Sequence, residues 1–310
     1  MTPRPALGAL MVVCGSAFFA VNGTVSKLVL RAGMDAPQLT TLRASGAFAG
    51  LLLIAVAVPP GVRRLRLARR ELPLLIAYGL AGFFLVPMLY FVAISRLPVG
   101  IGLLFEYTAP LLVALWARFG QRQSVRSRLW LGLAVSLAGL AGVAEIWGDL
   151  RLDGLGIAAG LAAAVLLACY YVLGARGVAE RDPLSLTAWA FGVSALAGCL
   201  LRPWWDFPAG LLTERSGGVS VWLLCGYVVV LGSIVPYLLL AGALRHLPPT
   251  SVGIIGMVEP VIASTVAWLA LGEHLNAAQL SGGVLVLIGV ALAETARTAG
   301  PGAPAELPPT

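Results

Sequence analysis

The sequence predicts an all-α integral membrane protein whose ten transmembrane helices form two inverted repeats of five. Of its 310 residues, 59% are hydrophobic and only 11% are charged, whereas an average soluble domain carries about 25% charged residues. Apolar runs of roughly 20 residues, long enough to cross the hydrocarbon of a bilayer, recur along the chain. Landmark glycines and prolines also recur at a fixed offset of 150 residues.

The apolar runs define ten predicted spans. They cover residues 7–29, 38–58, 73–95, 98–117, 129–147, 154–174, 184–202, 219–243, 249–271 and 277–295. Prolines between spans support these boundaries, because a missing backbone N–H costs least outside a helix. These prolines are Pro59-Pro60, Pro98, Pro183 and Pro248-Pro249. The last segment, 297–310, is rich in Pro, Ala and Gly and is predicted to be a disordered cytoplasmic tail.

The distribution of arginine predicts the orientation. Short cytoplasmic loops of membrane proteins carry an excess of Lys and Arg. With the N-terminus placed inside, the two richest clusters both fall on the inner face. They are Arg63, Arg64, Arg66, Arg69 and Arg70 after the second span, and Arg118, Arg122, Arg126 and Arg128 after the fourth. Both termini are therefore predicted to be cytoplasmic.

A weak internal duplication divides the chain into residues 1–150 and 151–296. At the offset of 150 residues the matching pairs are Gly82 and Gly232, Leu97-Pro98 and Leu247-Pro248, Pro110 and Pro260, Gly132 and Gly282, and Gly139 and Gly289. Each half holds five spans, an odd number, so the second half enters the membrane from the opposite side. Inverted repeats of this kind recur in secondary transporters, which bind substrate near the midplane between the halves.

The duplicated residues resemble a known repeat. The second copy runs Glu259-Pro260-Val261 through Leu271-Gly272-Glu273, then Gln279, Gly282 and Gly289. A looser first copy runs Leu97-Pro98, Glu106-Tyr107-Thr108-Ala109-Pro110, then Gly120-Gln121, Gly132 and Gly139. Both resemble the EamA repeat of the drug/metabolite transporter (DMT) superfamily, except that Gln121 stands where the family pattern has Glu. We expect that departure to affect packing or gating and not substrate contact.

The resemblance to this family implies a fold, a cellular location and a function. It implies ten helices, a multi-pass location in the bacterial cytoplasmic (inner) membrane, and transport of small polar or amphipathic metabolites. Many members of that superfamily export amino acids or related compounds, so amino-acid export by alternating access is the function expected. The alternative is a flippase or exporter of lipid-linked or hydrophobic drug-like substrates, which would need a cavity open laterally to lipid.

Three ionisable residues inside spans are the first candidates for a site. A charge at the centre of a bilayer costs about 2.5–3.5 kcal/mol on insertion scales, so Arg43, Glu106 and Glu259 need a reason to be there. The two glutamates lie ~12 Å and ~15 Å into their helices at 1.5 Å per residue. Both are expected to face one central cavity, where Glu106 could bind a substrate ammonium group or take up a proton.

Two of these three residues have a structural alternative. Glu259 could shape or pack the helix beside Pro260. Arg43 lies near the outer face, where its side chain could snorkel to the interface or bind a substrate carboxylate. Asn22 lies mid-span in the first helix and needs a hydrogen-bond partner. With four aromatic residues that we expect in the cavity wall, the predicted substrate-binding set is Glu106, Glu259, Asn22, Arg43, Tyr90, Tyr107, Trp189 and Tyr237.

Four prolines within spans are predicted to kink helices or to take part in gating. A proline inside a helix leaves a backbone carbonyl without its donor, and membrane helices tolerate this beside a cavity. The residues are Pro87, Pro110, Pro236 and Pro260.

Other functional classes are disfavoured. The four cysteines lie within apolar runs without CxxC spacing, so neither a disulfide nor a metal site is predicted. The sequence contains no P-loop, HExxH or GxSxG motif, and we expect neither an enzyme nor a bound cofactor. The basic residues that give the chain its net charge of +7 lie between apolar runs and not on one soluble face. This distribution disfavours nucleic-acid binding. The expected partners are a small-molecule substrate, membrane lipid and protons, for a monomer or homodimer.

Overall fold

The structure is a computed structural model that describes residues 3–59, 61–97, 99–144, 146, 153–263, 265 and 276–298. Several sequence landmarks lie outside the described residues: Pro60, Pro98, Leu271-Gly272-Glu273 and almost all of the tail predicted over 297–310. The described chain is predominantly helical, as the apolar runs predict.

Ten apolar helical segments follow one another along the described chain. They are α1 (Pro5–Arg31), α2 (Ala36–Ala57), α3 (Arg69–Arg96), α4 (Gly100–Gly120), α5 (Ser127–Val143), α6 (Gly154–Glu180), α7 (Pro183–Leu201), α8 (Val221–Ala243), α9 (Pro249–Ala263) and α10 (Ala277–Thr298). Among the described residues, eight of these are long and apolar enough to cross a membrane. The helices α5 and α9 are shorter, and each ends where the described chain is interrupted, so ten spans stay a prediction.

Short elements connect some of the helices. The segment after α2 forms a 3-10 helix, Gly61–Leu65. The longer connection from α7 to α8 contains two further 3-10 helices, Trp204–Asp206 and Ala209–Thr213. It ends in a two-stranded antiparallel hairpin in which β1 (Arg215–Ser216) pairs with β2 (Val219–Ser220). The helix boundaries lie within a few residues of those predicted, except that α6 continues six residues past 174, to Glu180. The predicted end of the ninth span, at residue 271, lies outside the described residues.

The helices α3 and α8 share an unusual π-helical interruption. It covers Gly79–Leu85 in α3 and Val230–Ile234 in α8. At the end of each π segment a backbone N–H donates to the carbonyl five residues back, and a proline without an N–H comes next. These prolines are Pro87 and Pro236, two of the four predicted kink positions. Such π segments bend helices and free backbone carbonyls.

The helices α4 and α9 share a different interruption. In α4, the helical segment Val99–Glu106 ends in a turn at 107–108 before Ala109–Leu115 continues. In α9, Pro249–Gly256 ends in a turn at 257–258 before the chain becomes helical again over 259–263. The two turns are 150 residues apart, and the other two predicted kink prolines, Pro110 and Pro260, begin the segments that follow them.

The helices α5 and α10 pack through glycines that are matched in the sequence duplication. A Cβ atom added at Gly132 would lie 2.6 Å from the carbonyl oxygen of Gly289, and one added at Gly289 would lie 2.6 Å from that of Gly132. A Cβ atom added at Gly139 would likewise lie 2.6 Å from the carbonyl oxygen of Gly282, and one added at Gly282 would lie 2.6 Å from that of Gly139. The two backbones approach so closely that only residues without a side chain fit between them.

We expect Gly282→Val to destabilise the protein, because its side chain would meet backbone atoms of α5 that cannot rotate away. Overpacking of this kind costs about 1–3 kcal/mol. The measurement is thermal unfolding of the purified protein in detergent. Gly226→Val is the matched control, since nothing lies within 4 Å of a Cβ at that position in α8. Equal melting temperatures for the two variants would contradict the close α5–α10 contact.

The helices α2 and α7 pack together and are joined by an ion pair at each end. Asp35 caps the N-terminus of α2 and pairs with Arg202, which follows α7, at 3.0 Å. Asp182 caps the N-terminus of α7 and pairs with Arg64, which lies in the segment after α2, at 3.3 Å. Each capping aspartate thus binds an arginine that follows the end of the other helix.

The ion pair between Arg64 and Asp182 belongs to a larger network centred on Arg181. Its guanidinium pairs with Glu71 and donates to the Ser185 hydroxyl and to the backbone carbonyls of Arg64 and Arg66. The side chains of Arg181 and Glu71 are 9% and 16% exposed, whereas those of Arg202 and Asp35 at the other end are 48% and 36% exposed. The α2–α3 connection is therefore fixed to the α6–α7 turn much more firmly than the opposite face is.

We expect Arg181→Ala to lower the free energy of unfolding by about 1.5–3 kcal/mol, because it leaves Glu71 and two carbonyls without their charged donor. Arg202→Ala should cost less than about 1 kcal/mol, as is typical of exposed ion pairs. Melting temperatures of the two variants in the same detergent check the difference. A loss at Arg202 as large as that at Arg181 would contradict the asymmetry.

Candidate functional site

A cavity lies among α1, α2, α3, α4, α6, α8 and α9 and contains about 820 Å³ of space free of protein atoms, its opening included. Seven of the eight predicted substrate-binding residues line it: Glu106, Glu259, Asn22, Arg43, Tyr90, Tyr107 and Tyr237. The kink residue Pro87 also lies in its wall. The interrupted helices α3, α4, α8 and α9 all contribute to this wall.

Arg43 on α2 supplies a buried positive charge. The residue is 3% exposed, which excludes the snorkelling alternative. Its Nε donates to the Ser233 hydroxyl at 3.0 Å, and its guanidinium carbon lies 5.6 Å and 5.2 Å from the ring centres of Phe191 and Tyr237. Within the described part of the chain, neither terminal nitrogen has a hydrogen-bond partner, and Nη2 is fully buried. The side chain is held in place and retains donors that a ligand can use.

Glu259 on α9 and Glu106 on α4 supply carboxylates to the same cavity. Glu259 is 8% exposed and accepts a hydrogen bond from the Tyr107 hydroxyl at 2.6 Å. Among the described residues, the Glu106 carboxylate has neither a hydrogen bond nor an ion pair. It lies close enough to Arg43 and to Glu259 for their charges to interact. The cavity therefore combines one cation with two anionic groups, of which one is already hydrogen-bonded.

The π segment of α8 organises the positive side of the cavity. Ser233 in this segment receives the Arg43 hydrogen bond, and its own hydroxyl donates to the carbonyl of Val228 at 2.7 Å. The preceding residue, Gly232, packs directly against the amide of Asn22, where a Cβ atom would overlap Oδ1. Two consecutive residues of the interrupted helix thus support Arg43 and Asn22.

The π segment of α3 binds side chains from the other half of the chain. The carbonyl of Gly82 accepts a hydrogen bond from the Tyr237 hydroxyl at 3.3 Å, and that of Phe83 accepts one from the Ser194 hydroxyl at 2.9 Å. Both carbonyls lie beside Pro87, which has no N–H to donate within the helix. The helix interruption therefore holds α3 against α8 and α7 beside the cavity.

Trp189 is the one predicted binding residue that the structure places away from the cavity. Its indole Nε1 donates to the carbonyl of Leu65 at 3.0 Å, and its ring packs near that of Phe48. A hydrogen bond to the connection after α2 explains a tryptophan inside a span, because the indole N–H needs a partner when it is buried. Trp189 therefore lies outside the proposed site.

Other aromatic residues that line the cavity were not singled out from the sequence. Tyr170 and Tyr171 on α6 and Phe19 on α1 all contribute to the wall. Tyr170 stacks on Tyr78 with ring centres 5.3 Å apart, and its ring occupies the space that Gly82 leaves free. The pairing of a bulky residue on α6 with a glycine on α3 is a tertiary match, and single-sequence patterns carry no signal for it.

Comparison with known proteins identifies relatives over most of the chain. The model of the EamA-like transporter family matches residues 6–144 and again residues 154–295. The threonine/homoserine exporter RhtA of Escherichia coli K12 is 34% identical over 250 residues, which cover 80% of this chain and 78% of the exporter. The exporter of the same name from Salmonella typhimurium SL1344 is 31% identical with the same coverage. An uncharacterized transporter of Archaeoglobus fulgidus is 30% identical over 87% of this chain and 91% of its own.

The fold also has a solved counterpart. A protein crystal structure superposes on this chain with a TM-score of 0.76, over 96% of this chain and 100% of its own. The two sequences are 18% identical, so the similarity shows the fold alone. The two family matches, the transporter relatives and the eight membrane-length helices agree with one another. The chain is therefore a multi-pass membrane protein and belongs to the EamA-like transporter family of the drug/metabolite transporters.

Proposed function

We propose that the protein is a secondary transporter that exports small zwitterionic amino acids and related compounds by alternating access around the cavity. The observation that carries the proposal is the combination of charges in one cavity: the Arg43 guanidinium with the Glu106 and Glu259 carboxylates. A free amino acid carries one carboxylate and one ammonium group, and this cavity offers a counter-charge to each.

We assign a role to each charged group from the hydrogen bonds that it already makes. Neither terminal nitrogen of Arg43 has a hydrogen-bond partner in the described part of the chain, and a guanidinium binds a carboxylate through two parallel hydrogen bonds. Glu106 has no hydrogen-bond partner among the described residues and is suited to receive the ammonium group. Glu259 already accepts the Tyr107 hydroxyl, so we assign it a second role, as the group that takes up a proton during transport.

Alternating access requires two halves that can tilt in opposite senses. We propose residues 1–150 and 151–296 as those halves. Support comes from features that recur near the 150-residue offset: the π segments of α3 and α8 and the turns at 107–108 and 257–258. The α5–α10 glycine contact is reciprocal under the same offset, as expected when a two-fold axis relates two halves.

The substrate class draws further support from the relatives. Two of them are named as threonine/homoserine exporters, and we extend amino-acid export to this chain. The outward direction, a bacterial inner-membrane location and cytoplasmic termini are parts of the same proposal. A lipid-linked or hydrophobic cargo suits the site less well, because it would leave the terminal nitrogens of Arg43 and the Glu106 carboxylate without hydrogen-bond partners, and buried charges without such partners are costly.

The proposal is tested by counterflow in proteoliposomes that contain the purified protein. Vesicles loaded with L-threonine should accumulate labelled L-threonine, and external L-homoserine should compete. Threonine methyl ester, which lacks the carboxylate, and 3-hydroxybutyrate, which lacks the ammonium group and keeps the side-chain hydroxyl, should compete at least about tenfold less well. If no amino acid exchanges, with or without a proton gradient, the proposal is wrong.

A further inference from the structure

We propose that Asn22 makes the transporter selective for amino acids with a hydroxyl group on the side chain. This inference rests on the proposed amino-acid transport and concerns a part of the substrate that the charged residues do not contact. The proposed site is the part of the cavity wall where the Asn22 amide packs against Gly232, the residue before the serine that binds Arg43.

Asn22 is a buried amide without a hydrogen bond. It lies in the middle of α1, is 9% exposed and lines the cavity. Over the residues that the structure describes, neither of its amide atoms has a hydrogen-bond partner. An asparagine that serves only to join membrane helices would be hydrogen-bonded across them. A buried polar group is costly until it finds a partner, and the cavity is the place from which one can come.

The residues around Asn22 leave space for its side-chain amide. Gly232 lies directly against Oδ1, where any side chain would displace the amide. Gly23, the residue that follows Asn22, also lines the cavity. The next residue after Gly232 is Ser233, which holds Arg43. An amino acid whose carboxylate binds Arg43 therefore presents its α-carbon and side chain in the neighbourhood of Asn22.

A hydroxyl group is the chemistry that fits an amide of this kind. The amide has one group that donates and one that accepts, and it can present either by rotation about its terminal bond. A hydroxyl also donates and accepts. An apolar isostere would leave the amide unpaired, and sites built around a hydrogen bond reject substrates that lack it.

Threonine and valine provide the test, because they have nearly the same shape and differ by a hydroxyl in place of a methyl group. In counterflow experiments the wild-type protein should prefer L-threonine to L-valine by about tenfold in kcat/KM. Asn22→Leu should reduce this preference to about twofold or less, because threonine transport should fall by more than valine transport does. Ser26→Ala is the matched control, since Ser26 is a buried polar residue one turn further along α1 that is not part of the cavity wall.

Gly232→Ala gives a second, independent variant. It leaves Asn22 in the sequence but displaces its amide, so it should lower the threonine preference in the same way, and its melting temperature in detergent reports whether the protein is folded. Equal losses for both amino acids in the two variants would overturn the inference, because Asn22 would then act on the common part of the substrate. An unchanged ratio would overturn it too. Failure of the proposed function itself differs, since the wild-type protein would then exchange neither amino acid.

Discussion

Arg43→Ala is expected to reduce amino-acid counterflow by roughly 30-fold or more in kcat/KM, because truncating one partner of a buried charge pair costs about 2–5 kcal/mol. The substitution removes the only cation among the described residues that line the cavity. It also leaves Glu106 without the positive charge that lies near it. Arg43→Lys should recover only part of the activity, since an ammonium group cannot form the two parallel hydrogen bonds of a guanidinium. The measurement is counterflow of labelled L-threonine in proteoliposomes.

The control for Arg43 is Arg202→Ala, which removes an arginine from the exposed pair with Asp35 and leaves the cavity intact. Melting temperatures show whether the Arg43 variants are folded, since Arg43 packs against Phe191 and Tyr237. Threonine methyl ester, which lacks the carboxylate, provides a further check, because its weak transport should not fall when Arg43 is removed. Full counterflow of threonine by a folded Arg43→Ala variant would show that this guanidinium does not bind the substrate.

Charged residues were the part of the site that the sequence predicted best, and the reason is physical. Lipid makes a charge inside a span costly, so Arg43, Glu106 and Glu259 could be selected without knowledge of the fold. All three line one cavity. The periodicity of apolar runs located the helices for a similar reason, because the thickness of the bilayer fixes the length of a span. Whether these residues bind a substrate is a separate prediction, for the experiments to decide.

Aromatic residues were predicted less well, because their burial costs little and has no characteristic spacing. Trp189 was expected in the cavity wall, yet its indole binds the carbonyl of Leu65, 124 residues away along the chain. Tyr170 was not singled out, although it lines the cavity opposite Gly82. Such matches depend on which helices are neighbours, and one sequence does not contain that information. Prolines are predicted better than aromatic residues and less well than charges. The positions of Pro87 and Pro236 indicate where α3 and α8 are interrupted, but they do not indicate that the interruption is π-helical.

Glu106→Gln is expected to reduce threonine counterflow by roughly 30-fold or more, for the same reason as Arg43→Ala but at the other end of the substrate. Glutamine keeps the size of the side chain and removes the charge that we assign to the ammonium group. Because Glu106 has no hydrogen-bond partner among the described residues, the substitution breaks no internal hydrogen bond, although it removes the negative charge that lies near Arg43. The melting temperature of the variant shows whether it is folded, and a loss of transport by the folded variant reports on binding.

Glu259→Gln separates substrate binding from proton coupling. The amide oxygen of glutamine can still accept the Tyr107 hydroxyl, so the contact between α4 and α9 is kept. If Glu259 takes up the proton, its variant should keep most of the threonine exchange, which needs no net proton movement. It should lose net transport driven by a pH gradient. Equal losses of exchange in the two variants would mean that both carboxylates contact the ammonium group, and the division of roles between them would be wrong. The comparison is informative because the two glutamates share one cavity and differ in whether a tyrosine already occupies the carboxylate.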